Sequence, residues 1–122
     1  MFNLRTRVAS AARAASFKRI CFQLRVKKDR IDEYKARHRA VWPEMLDALR
    51  QTGWTNYSLF LRDDGLLIGY LETADFDQAL AGMALREVND RWQAEMKGFF
   101  EDARERPADR QLELLEEVFH LD

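Results

Sequence analysis

The period of apolar and polar positions changes several times along the chain, and each change marks an element. From Phe17 to Lys27, apolar Ile20, Phe22, Leu24 and Val26 alternate with Cys21, Gln23, Arg25 and Lys27. This is the two-residue period of a strand with one buried face. After it the period lengthens. With Asp29 as a candidate N-cap, Ile31, Tyr34 and His38 fall on one stripe of a helix from about Arg30 to Ala40. Trp42 continues the four-residue spacing, but Pro43 biases it away from helical angles and suits the first turn of a second helix, 43–52, which Gly53 stops. Trp54 to Arg62 and Leu66 to Glu72 read as strands joined by the tight turn Asp63-Asp64-Gly65. Asp75 with Gln78 has the pattern of a capping box and opens a short helix to about Met83. A longer helix, about Arg86 to Ala103, carries the stripe Val88, Trp92, Met96 and Phe99 or Phe100, slightly weakened by Gly98. Beyond a loop at 105–109, Gln111 to Leu121 reads as a last strand, although its leucine- and glutamate-rich start equally suits a helix.

The order strand, helix, strand, strand, helix, strand predicts a ferredoxin-like βαββαβ sandwich of the α+β class, an antiparallel sheet with helices on one face. The other sheet face is then bare. Apolar residues on both sides of the strands predict that a second copy covers it, giving a homodimer of the dimeric α+β barrel type. Within the second strand Asn56 and Tyr57 point to opposite faces. Tyr57 shares its parity with Leu59 and Leu61, which places it toward the helices and puts Trp54, Asn56, Ser58 and Phe60 on the other side.

Composition narrows the function. A chain of 122 residues, 47% hydrophobic and 34% charged, makes one globular domain. A net charge of -1, with basic residues interleaved among acids, excludes an obvious nucleic-acid surface. One cysteine, Cys21, allows no intrachain disulfide and suits a reducing, cytoplasmic setting. With only His38 and His120 beside it, no zinc-type spacing exists; a carboxylate metal site stays open, but no clustered pattern for one is present, so no metal is expected. No apolar run approaches the roughly 20 residues of a membrane span. Residues 1–16 are acid-free and contain Arg5, Arg7, Arg13 and five alanines. That composition resembles a transit peptide and equally fits a flexible extension or a start placed too far upstream, so the domain is taken as 17–122.

The residues that can carry chemistry lie on the helical stripes. His38 gains or loses a proton near neutral pH, or it simply caps and packs. Tyr34 can bind a hydroxyl, orient His38 or edge the core, and Trp42 reads as a packing anchor. Trp92 offers a flat indole to the C–H face of a pyranose, or packs against Met96. The Gln93 amide can donate and accept to hydroxyls, or face solvent. Cys21 and His120 read as structural. Neither a Gly-x-Gly-x-x-Gly nor a Gly-x-Ser-x-Gly pattern is present.

At these residues the sequence resembles the L-rhamnose mutarotase family, from about Arg19 to the C-terminus. The resemblance is carried by Tyr34-Lys-Ala-Arg-His38 with Val41-Trp42-Pro43-Glu44, by Gly53 and Asn56-Tyr57, by Arg91-Trp92 and Met96, and by the ending Leu115-Glu116-Glu117-Val118-Phe119. It implies a dimeric ferredoxin-like fold and an isomerase that interconverts the α and β anomers of L-rhamnose or a related 6-deoxyhexose without a cofactor. It also implies His38 as the proton donor, with Tyr34, Tyr57 and Trp92 binding the sugar. The chain departs from the pattern at Gln93, where a second tryptophan would stand, so a sugar contact there would be made by an amide. A cofactor-free monooxygenase-like enzyme and a non-catalytic small-molecule binder share such a scaffold and are the alternatives.

Overall fold

The computed structural model describes residues 16–102 and 106–122. Apart from Ser16, the N-terminal extension lies outside the described residues. The elements in chain order are β1 (Lys18–Arg25), α1 (Ile31–His38), α2 (Pro43–Gln51), β2 (Thr55–Leu61), β3 (Leu66–Thr73), α3 (Phe76–Ala84), α4 (Glu87–Met96) and β4 (Glu113–Leu115), with single 3-10 turns at Lys28–Arg30, Lys97–Phe99 and Ala108–Arg110. The strands form one antiparallel sheet in the order β2-β3-β1-β4. This is the expected ferredoxin-like α+β arrangement.

The alternation along β1 and β3 decides which sheet face the helices cover. Phe22, Leu24, Leu67 and Leu71 are buried beneath them, with Met45, Ala48, Ala79, Met83, Trp92 and Met96 from the helical layer completing the core. Phe22 pairs with Gly69 across the sheet, and its ring occupies the space where a side chain at Gly69 would sit. Arg19, Cys21, Gln23, Ile68, Tyr70, Glu72 and Phe60 alternate onto the opposite face. Leu115 joins them opposite Cys21. This face is more mixed than its expected apolar character: Phe60 is 61% exposed, while the Tyr70 hydroxyl and the Asn56 amide both donate to the Glu72 carboxylate.

Several elements differ from the sequence expectation. Asp29 is not an N-cap; it sits inside the 3-10 turn that precedes α1, whose N-cap, Arg30, makes no side-chain cap bond. At α3 the Asp75 carboxylate does accept from the Gln78 backbone N–H, at 3.1 Å. Trp54 is not on the open face. It is buried and its indole N–H donates to the Ala79 carbonyl at 3.3 Å. The cause is a register shift between Thr55 and Ser58, with Asn56 at φ 46. A bulge breaks the two-residue alternation, so Trp54 and Tyr57 reach the same side.

Helix α4 ends at Met96, well before Ala103. Phe100 is extended and bridges to Val26, and the Lys27 and Glu101 amides bond to the Phe99 and Arg25 carbonyls. Pairing beside the end of β1 thus replaces the last helical turns. The final strand is only three residues long; from Glu116 the chain leaves the ladder, with Arg19 and Glu117 joined at 2.8 Å and Val118, Phe119 and Leu121 exposed.

Candidate active site

Four aromatic or imidazole side chains, three from two helices and one from the link between α1 and α2, meet in one row. Tyr34 and His38 are one helical turn apart on α1, which places one ring above the other; their centroids are 4.1 Å apart at 28°. The edge of Trp92, from α4, meets His38 at 5.6 Å, and Trp42 meets Trp92 at 5.1 Å, both nearly perpendicular. Pro43 is the reason Trp42 sits there. As the first residue of α2 it holds Trp42 at φ -56, ψ 134, an extended residue between two helices. Ion pairs between Arg37 and Glu95 (2.7 Å) and between Arg91 and Glu44 (3.1 Å) tie α4 to α1 and α2.

Beside this row lies a cavity of about 380 Å³ between the helices and the sheet, within the range of small-molecule sites. Its walls are mostly apolar: Phe22, Leu24, Met45, Trp54, Leu59, Met83, Met96 and Phe100. Tyr34, His38, Tyr57, Trp92 and Gln93 all line it, so the fold gathers all five residues singled out in the sequence. Trp42 does not border it and acts as a prop behind Trp92. Asn89 and Asp109 also line it, and sequence reasoning missed both.

The electrostatics follow from this enclosure. Burial pushes the Tyr34 phenol well above its usual range, with Tyr57 adding to the effect; desolvation around the hydroxyl likewise pushes up Tyr57, although 36% of that residue stays exposed. Both therefore stay protonated and offer hydrogens. Burial lowers the His38 pKa below its ordinary 6.5, outweighing the backbone hydrogen bond that favours the charged form. The imidazole is then mainly neutral at pH 7. Its Nδ1 lies 2.9 Å from the Tyr34 carbonyl oxygen. A carbonyl can only accept, so Nδ1 carries the proton and Nε2 presents a lone pair.

Gln93 is held between two partners. Its amide nitrogen donates to Asn89 Oδ1 (3.2 Å) and its Oε1 accepts from the Asp109 backbone N–H (3.3 Å). Among the described residues no group of three or more His, Cys, Asp or Glu side chains lies together as a metal cage, and no helix is long and apolar enough to cross a membrane.

Sheet order, helical layer and cavity together define a ferredoxin-like α+β domain with one imidazole on the wall of an aromatic pocket. A family model described as L-rhamnose mutarotase matches residues 19–121. L-rhamnose mutarotases of Burkholderia orbicola (strain MC0-3) and Oceanobacillus iheyensis are each 36% identical, over 104 and 107 residues, covering 84% and 86% of this chain and 97% and 99% of the relatives. The crystal structure of an L-rhamnose mutarotase from Formosa agariphila has the same fold, with a TM-score of 0.70 at 24% identity over 86% of this chain and 99% of that one. The chain belongs to the L-rhamnose mutarotase family, whose members are carbohydrate isomerases.

Proposed function

We propose that this chain interconverts the α and β anomers of L-rhamnose or a close 6-deoxyhexose relative, with His38 moving the proton at the anomeric oxygen. The observation that carries the reading is a neutral imidazole of fixed tautomer on the wall of an aromatic cavity.

The steps balance without any redox change. Nε2 of His38 takes the proton of the anomeric hydroxyl. The bond between C1 and the ring oxygen breaks, and the ring oxygen takes a proton from a water. C1 becomes an aldehyde and rotates about the C1–C2 bond. On closure the ring hydroxyl attacks C1 and gives its proton back to the group that supplied it, and the imidazolium returns its proton to O1. His38 is therefore the proton donor in the closing half and the acceptor in the opening half. Tyr34 and Tyr57, whose raised pKa values keep them protonated, are suited to hydrogen-bond and polarise the ring oxygen, while a water carries the transferred proton. Trp92 offers an apolar surface for the sugar ring, and Gln93 extends the polar edge beside it.

Saturation-transfer NMR tests this directly, as exchange between the α and β anomeric signals of L-rhamnose. The expected result is exchange well above the spontaneous rate, and spontaneous exchange at high protein concentration would sink the proposal. His38→Ala is expected to lose about 10²–10⁴-fold of the acceleration while still binding sugar, which separates a catalyst from a binder.

The bare sheet face supports a homodimer, with Phe60, Ile68 and Leu115 meeting a second copy. The single cysteine suits the cytoplasm as the place of action.

A further inference from the structure

The polar end of the cavity is built as a closed ring of hydrogen bonds. Asn89, only 3% exposed, donates from Nδ2 to Asp109 Oδ2 at 3.0 Å. Its Oδ1 accepts from Gln93 at 3.2 Å, and Gln93 accepts the Asp109 backbone N–H at 3.3 Å. The ring joins α4 to the 3-10 turn at Ala108–Arg110 and fixes the Asp109 carboxylate in one orientation. Its other oxygen, Oδ1, takes no hydrogen bond from the described residues, and Asp109 lines the cavity. Asp109 is half-buried and none of the buried side-chain oxygens among the described residues lacks a partner, so this oxygen is open to a donor that enters the cavity, from which a carboxylate can only accept.

We propose that Asp109, positioned by Asn89 and Gln93, is a substrate-recognition residue whose free oxygen accepts a hydrogen bond from one sugar hydroxyl away from C1. The inference deepens the mutarotase reading and rests on it. A site built around such an acceptor discriminates strongly against an analogue lacking the partner hydroxyl, so Asp109 sets which aldoses enter. The neighbours have separate roles: His38 acts at C1, Asp109 binds, and Asn89 and Gln93 act through Asp109.

The test is anomeric exchange measured on L-rhamnose, on its 2-, 3- and 4-deoxy analogues, and on L-mannose, which differs from L-rhamnose only by a hydroxyl on C6. For one position the native chain is expected to favour the hydroxylated sugar by about tenfold or more in kcat/KM. Asp109→Leu should flatten that preference to within about twofold, raising KM for the hydroxylated sugar with kcat nearly unchanged. Asp109→Asn keeps an oxygen for Asn89 but turns a donor toward the cavity, and it should flatten the same preference. Thermal melting of both variants checks that the turn still docks. An equal loss on every sugar with no change of preference would make the ring a structural clip and overturn the proposal. So would unchanged kinetics in both variants. If the native chain accelerates L-rhamnose and no preference responds, this inference alone falls; if it accelerates none of the sugars, the mutarotase reading falls and this goes with it.

Discussion

At the scale of a residue, the fate of His38 is set by its own helix. The carbonyl of Tyr34, one turn back, holds Nδ1, so Nε2, the nitrogen proposed to act, presents a lone pair at rest. Because burial favours the neutral form, kcat/KM should fall on the acid side with a midpoint below 6.5, and a profile that rises on acidification would contradict the assignment. The sign for stability is the same. The folded-state pKa lies below the unfolded one, so the contribution is complete above about 6.5 and is lost as pH falls through the folded value. The spacing of Tyr34, His38 and Trp92 on their stripes singled them out as candidates, with packing roles equally open, and the family resemblance supplied their expected roles. Asn89 and Asp109 were not, because their contact joins a helix to a turn twenty residues later, and nothing local in the sequence announces such a meeting. Trp54 was misplaced for a related reason: one residue at φ 46 undoes an alternation that hydrophobicity alone cannot correct.

At the scale of elements, the sheet depends on a fit between one large ring and one missing side chain. Phe22 lies over Gly69, and β1 and β3 pair along their whole length around that point. Gly69→Ala should destabilise the fold by about 1–3 kcal/mol through overpacking, measured by chemical denaturation with an unchanged m-value. A neutral result would mean that the Phe22 ring has room to move. Strand positions, the β2–β3 turn and the α1–α2 break followed from period, Gly65 and Pro43. The ends of α4 and β4 did not. A stripe of Trp92, Met96 and Phe99 continues to look helical after the backbone has turned to pair beside β1, because burial is shared by both conformations.

At the scale of the whole molecule, the two faces of the sheet have different work. One encloses the cavity; the other carries Phe60, Ile68 and Leu115 among polar groups. If a second copy covers that face, Phe60→Asp should shift the sedimentation coefficient from a dimer to a monomer value at micromolar concentration. An unchanged dimer would place the interface elsewhere. The row of rings from Trp42 through Trp92 to His38 gives the molecule an optical property as well. A protonated imidazole quenches a neighbouring indole, whereas Trp54 sits apart against Phe76 and Tyr57. The protein thus carries its own indicator dye. Its emission should dim on acidification with the midpoint of the kinetic limb, that component should vanish in His38→Ala, and a sugar entering beside Trp92 should report its own arrival without any label.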